Sequence, residues 1–193
     1  MGEPTATRLA AWSQKPYAEQ ILFWFALAES CVMPIPVEPL LLTLCTGTPQ
    51  RSLRFALICG VGSVLGGLLG YAIGHYAFDS VGQALLNLYD PHHKVFHQVE
   101  ETFAQWGFWG ILLAAITPIP YKIFTLTSGV LDFDLGQFVL ASVIGRNAKF
   151  LVIGGLMTYG GDRLRTWVES SSNRLLWLGL VITIAGLFAV KLL

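Results

Sequence analysis

Two apolar stretches of this chain are interrupted by the same tripeptide, Pro34-Ile35-Pro36 and Pro118-Ile119-Pro120. A proline inside a helix removes a hydrogen bond and clashes with the preceding turn, so two prolines one residue apart stop a helix. The surrounding segments, 18–48 and 108–134, are each too short for two full membrane crossings of about 20 residues apiece. Each fits two half-length helices meeting at a proline tip, a re-entrant hairpin. Non-helical backbone at that depth is tolerable only inside protein or beside a wet cavity.

The remaining pattern agrees. Residues 53–78 and 136–160 are long apolar runs and read as spans, as does 175–193, where Lys191 can snorkel. Residues 1–17 mix Leu9, Ala10, Ala11, Trp12 and Tyr17 with polar neighbours, which suits a short interfacial helix. Residues 79–106 form a polar to amphipathic loop. The chain is 54% hydrophobic and 12% charged, where a soluble domain carries about 25% charged residues. Acids and bases cancel, leaving no basic excess for nucleic acid. The expected fold is an all-α integral membrane protein: two inverted re-entrant hairpins plus about three transmembrane helices, with residues 18–160 as the membrane domain.

Arg8 and Lys15 precede an apolar stretch in which Ala26-Leu27-Ala28 resembles a cleavage site, but that stretch runs on past it and reads as structural. Cys31, Cys45 and Cys59 lie in apolar runs without a CxxC pair and read as buried thiols. With both hairpins re-entering, Arg8, Lys15, Arg51, Arg54, Arg163, Arg165 and Arg174 fall on one side, against Lys94 and Lys191 on the other. That asymmetry places the N-terminus in the cytoplasm.

The chain also repeats itself. The two Pro-Ile-Pro segments align at an offset of 84, setting Glu38 against Lys122. The spans that follow align at an offset of 83, setting Phe55 against Phe138, Gly62 against Gly145 and Tyr76 against Tyr159. The expected topology puts the halves in opposite orientations, as in carriers whose broken helices build a site near the midplane.

Ionisable groups inside a membrane are expensive and usually functional. Five stand out: Glu29 and Glu38 around the first tip, Lys122 after the second, and Arg146 and Lys149 in the span 136–160. Arg146 and Lys149 are three apart and share a helix face. Ionised together, the five sum to one positive charge, a host for an anionic group. A purely structural set of pairs holding the hairpins is the other reading. Glu29 or Glu38 is the candidate for proton exchange.

Gly62, Gly66, Gly70 and Gly74 recur every fourth residue, a spacing that lets membrane helices approach closely. A phosphate loop would need Lys-Ser/Thr after Gly60-Val61-Gly62, and none follows. His92, His93 and His97 precede Glu100 and Glu101; without HExxH they read as a solvated loop helix, not a metal site. Asp132 and Asp134 read as ordinary loop acids, Ser63 lacks a GxSxG setting, and no nucleophile–base pair points to an enzyme. No cofactor is implied.

Glu29-Ser30 with Pro34-Ile35-Pro36 and Glu38 resembles the first hairpin motif of the DedA family, also called VTT-domain or SNARE-associated-Golgi-type membrane proteins. Thr117-Pro118-Ile119-Pro120-Tyr121-Lys122-Ile123-Phe124 with Ser128-Gly129 is similar to the second hairpin of its YqaA-like branch. Ser142, Gly145-Arg146 and Lys149-Phe150 are similar to that branch's Gly-Arg-x-x-Arg-Phe signature. The resemblance implies two inverted hairpins packed with transmembrane helices, and movement of lipids between leaflets, in some members driven by the proton gradient. It places the family's embedded acids at Glu29 and Glu38 and its hairpin cation at Lys122. Better-studied members carry a further arginine six residues earlier, where Ile116 stands here. Arg146 is then the group able to offer a bidentate fork to phosphate.

The resulting expectation is a carrier in the bacterial inner membrane that flips or scrambles a phosphate-bearing lipid, with lipids and protons as partners and Pro34, Pro36, Pro118 and Pro120 at the tips. Two alternatives stay open: a non-transporting factor for envelope integrity, and a proton-coupled carrier of small solutes or ions. A homo-oligomer is also left open.

Overall fold

The computed structural model describes residues 11–33, 35–84, 106–117 and 121–160, with positions 87, 97, 100, 101 and 103 between them. Residues 1–10, the tip prolines Pro34, Pro118 and Pro120, the loop residues His92 and His93, and the expected span 175–193 lie outside the described residues. What is described is helical, with no strand among the described residues, so the all-α expectation holds there.

The principal helices are α1 (Pro16–Cys31), α2 (Glu38–Gly47), α3 (Ser52–Tyr76), α4 (Phe108–Ile116), α5 (Tyr121–Val130) and α6 (Leu135–Tyr159). A 3-10 turn, Pro49–Arg51, leads into α3, and a π turn, Phe78–Gly82, follows it. By length and composition α3 and α6 are able to cross a membrane.

Local chemistry sets the breaks. Helix α1 starts on Pro16, which suits a first turn because its missing N–H needs no partner there. Its last turn closes where the Val32 and Met33 N–H groups both donate to the Ala28 carbonyl, at 2.8 and 2.7 Å. Helix α2 resumes at Glu38 with Pro39 in its first turn. The two arms are unequal, 16 residues against 10. Helix α6 is capped by Asp134, whose side chain accepts from the Gln137 N–H at 2.8 Å.

The ends of each broken segment meet. Thr48, after α2, donates to Ser13, before α1, at 2.8 Å. Gly107, before α4, lies against the Phe133 ring, after α5. Both segments therefore go out and come back.

Pairwise contacts fix the directions. Along α1 and α3, Glu19 meets Arg51 and Arg54, Phe23 meets Gly62 and Leu27 meets Gly66, so these helices run parallel. Ser52 meets Gly154, Gly60 meets Asn147 and Ser63 meets Arg146, so α3 and α6 run antiparallel. Leu112 and Ala115 of α4 both meet Gly145, near the middle of α6. The first arm of the first broken segment thus lies along its own long helix, and the two long helices run in opposite directions.

Small residues permit these approaches. A Cβ on Gly62 would lie 2.6 Å from the Phe23 carbonyl oxygen. One on Gly66 would collide with the Leu27 carbonyl, one on Gly70 with Thr125, and one on Gly74 with the Leu126 carbonyl. Between helices in lipid such contact, rather than hydrophobicity, supplies the attraction.

Two apolar clusters result. One gathers Leu22, Leu41, Leu44, Phe55, Cys59 and Phe150 from α1, α2, α3 and α6. The other gathers Ile111, Ala115, Tyr121, Phe124 and Phe138 from α4, α5 and α6. Cys45 and Cys59 are buried as expected; Cys31 is not, because it ends α1 beside the break, where packing thins.

Candidate functional site

Arg146 occupies the seam between the two apolar clusters. Helix α6 gives Phe138 and Ala141 to one cluster and Phe150 and Met157 to the other, with Arg146 between. Its guanidinium donates to the Glu29 carboxylate at 2.6 Å and to the Ser30 hydroxyl at 3.0 Å. Its Nε–H donates to the Ser63 hydroxyl. The two serine hydroxyls are 2.6 Å apart. Two rings lie within cation–π range of the charge: the guanidinium carbon is 5.0 Å from the centre of Tyr121 and 5.1 Å from that of Phe150. Tyr121 in turn donates its hydroxyl proton to Ser142 at 2.6 Å.

One helical turn along, Lys149 forms an ion pair with Glu38, at the start of α2. Its ammonium lies 5.4 Å from the Phe150 ring centre. Lys122, in the first turn of α5, donates to the Met33 carbonyl in the first break at 2.6 Å. That bond links one break to the other.

The five ionisable residues singled out above therefore converge, and four of them form two ion pairs. Glu38 and Lys122, equivalent in the repeat, do not pair with each other: Glu38 takes Lys149, and Lys122 takes a backbone carbonyl. All of this lies midway along α3, since Ser63 stands near the centre of Ser52–Tyr76. Both acids come from the first half and all three cations from the second.

Ser30, Tyr121 and Ser142 entered the sequence analysis only as members of the family motifs and Ser63 only as a serine without a GxSxG setting; none was assigned a part in the charged centre. One signal was available. The offset of 83 that aligns the spans sets Ser63 opposite Arg146.

Pairs outside the centre tie helix ends together. Glu19 on α1 bridges Arg51 at 2.6 Å and Arg54 at 2.8 Å, just before and within α3. His75, late in α3, pairs with Asp132 in the turn before α6. Asp132 adopts φ 49°, a conformation aspartate tolerates better than most. His97 contacts Glu100 at 3.3 Å. No metal-ligating group of His, Cys, Asp and Glu occurs among the described residues.

A family model described as the VTT domain matches residues 35–159. A protein from Haemophilus influenzae is 31% identical over 180 residues, and one from Histophilus somni is 28% identical over 181 residues. Each alignment covers 93% of this chain and 93% of the relative, and both relatives are described as uncharacterized. No solved structure matches the chain.

Proposed function

The chain belongs to the VTT-domain, or DedA, family of membrane proteins, and on that premise we propose that it carries a phosphate-bearing lipid between leaflets. In this reading the two broken segments are re-entrant hairpins, linked by the Lys122–Met33 hydrogen bond. Helices α3 and α6 are spans, joined by a third over 175–193, and residues 18–160 form the carrier domain. The N-terminus is cytoplasmic and the membrane is the bacterial inner membrane.

One observation carries the proposal: three cations and two carboxylates are gathered midway along two apolar helices, at the seam between the halves. Ionised, they sum to one positive charge. Embedding such a set is costly, and ionisable groups kept at such a depth mark substrate and ion pathways. Phosphate oxygens and carboxylate oxygens are alike as acceptors of charge-assisted hydrogen bonds. A head-group phosphate can therefore take the place of a carboxylate on Arg146 or Lys149, or of the Met33 carbonyl on Lys122. A proton taken up by the displaced Glu29 or Glu38 would couple the exchange to the proton gradient.

The completeness of the pairing supports a second reading, a factor that moves nothing and supports the envelope by its fold. Vesicles containing purified protein and a labelled phospholipid separate the two. The carrier reading expects movement of label across the bilayer, slowed about tenfold or more by Lys149→Ala and by Arg146→Ala, the effect of losing one charge-assisted contact. No movement of any phosphate-bearing lipid selects the second reading. A sealed centre that passes a water-soluble anion instead would point to a solute carrier.

A further inference from the structure

The two ion pairs are held very differently. Arg146 is 2% exposed and Glu29 16%. The arginine binds Glu29 and Ser30 on α1 and Ser63 on α3, and it lies over Tyr121 of α5. Withdrawing it would strand Ser30, Ser63 and Glu29 together, and a half-satisfied buried network is costly. Lys149 and Glu38 are 19% and 26% exposed and join only α6 to α2.

The arms that carry these groups differ as well. Helix α5 is seated on α3 nearly backbone to backbone, with Gly74 against the Leu126 carbonyl and Gly129 against the Tyr71 carbonyl. Helix α2, its counterpart in the first half, packs by side chains, through Leu41, Leu44 and Cys45. Its far end is held by the Thr48–Ser13 hydrogen bond. Freed at Glu38, α2 retains an anchor at one end.

We propose that the Glu38–Lys149 pair is the latch of the site. It parts between α2 and α6 to admit a lipid head-group phosphate, which Lys149 meets first, while Glu29–Arg146 stays closed as the fixed charge behind it. This rests on the carrier reading given above. The exchange leaves no ammonium unpaired, because the phosphate replaces the Glu38 carboxylate on Lys149. It leaves the Arg146 network intact, so the halves remain joined while α2 moves.

Cys59 reports the movement. It is fully buried on α3, in the apolar cluster that Leu41 and Leu44 of α2 help to form. The test uses the full chain with Cys31→Ser and Cys45→Ala, reconstituted in phosphatidylcholine vesicles, and measures modification of Cys59 by a membrane-permeant maleimide. A parallel chain also carrying Cys59→Ala and Thr127→Cys places a buried thiol on α5 as the control for general loosening. Glu38→Gln and Lys149→Met are each expected to raise Cys59 modification about tenfold or more by local opening, with the α5 thiol unchanged. Adding phosphatidic acid to the vesicles is expected to raise it in the unlatched direction without either substitution. Glu29→Gln exposing Cys59 as strongly as Glu38→Gln, or both thiols rising together, overturns the latch. Lipid movement with Cys59 still protected in phosphatidic acid vesicles rejects the latch and leaves the carrier reading standing. Cys59 opening without lipid movement supports the latch and rejects the carrier reading.

Discussion

Ser63 and Arg146 stand 83 residues apart, the offset that aligns the two long helices, and their side chains hydrogen-bond to each other. Residues at equivalent places in two antiparallel helices touch only where those helices cross. The pair therefore marks the crossing of α3 and α6, and the charged centre is built around it.

Arg146→Ala is expected to destabilise the protein by about 3–5 kcal/mol, because it leaves Glu29 without its partner in a low-dielectric setting. The thermal unfolding midpoint in detergent measures this. Combining Arg146→Met with Glu29→Gln is expected to recover part of the loss. A double variant no more stable than Arg146→Met alone would show that the stranded carboxylate is not the source of the cost.

Tyr121→Phe removes one hydrogen bond, to Ser142, and keeps the ring over Arg146. The expected cost is about 1 kcal/mol. Tyr121→Ala, which also removes the ring, is expected to lower the unfolding midpoint further. Equal losses for the two variants would assign the whole effect to the hydroxyl.

Gly66→Leu and Gly74→Leu are expected to give little folded protein, since each side chain would meet a backbone carbonyl of the neighbouring helix. Overpacking of this kind costs about 1–3 kcal/mol and more where backbone must shift. Gly155→Ala meets nothing within 4 Å and is expected to be neutral. Size-exclusion profiles of the three variants provide the comparison.

Lipid movement in vesicles is expected to depend on pH in the native chain and to lose that dependence in Glu38→Gln, which cannot bind or release a proton there. A Glu38→Gln profile that follows the native one across the same pH values would remove Glu38 from proton coupling.

The long helices were the most legible part of the sequence. Unbroken apolar runs over 53–78 and 136–160 are the strongest signal a chain can carry, and α3 and α6 occupy Ser52–Tyr76 and Leu135–Tyr159. The break after Cys31 was legible because proline forbids helix continuation. The inequality of α1 and α2 was not, since Pro16 reads equally well as an end or a beginning. The charged residues could be named because ionisable groups are rare in apolar runs. Their pairing could not, because it depends on which face each helix turns to which neighbour. The bonding of Ser30 and Ser63 to Arg146 was hidden for a related reason: serine is ordinary in membrane helices until something charged sits beside it.

The division of charge between the halves has a consequence for synthesis. The ribosome delivers Glu29 and Glu38 before any of Lys122, Arg146 and Lys149 exists. For the time it takes to make the second half, the first half must wait with its acids unanswered, protonated or held by the insertion machinery. Arrival of Arg146 ends that wait. Separately expressed halves should therefore be unstable alone and recover only when made together.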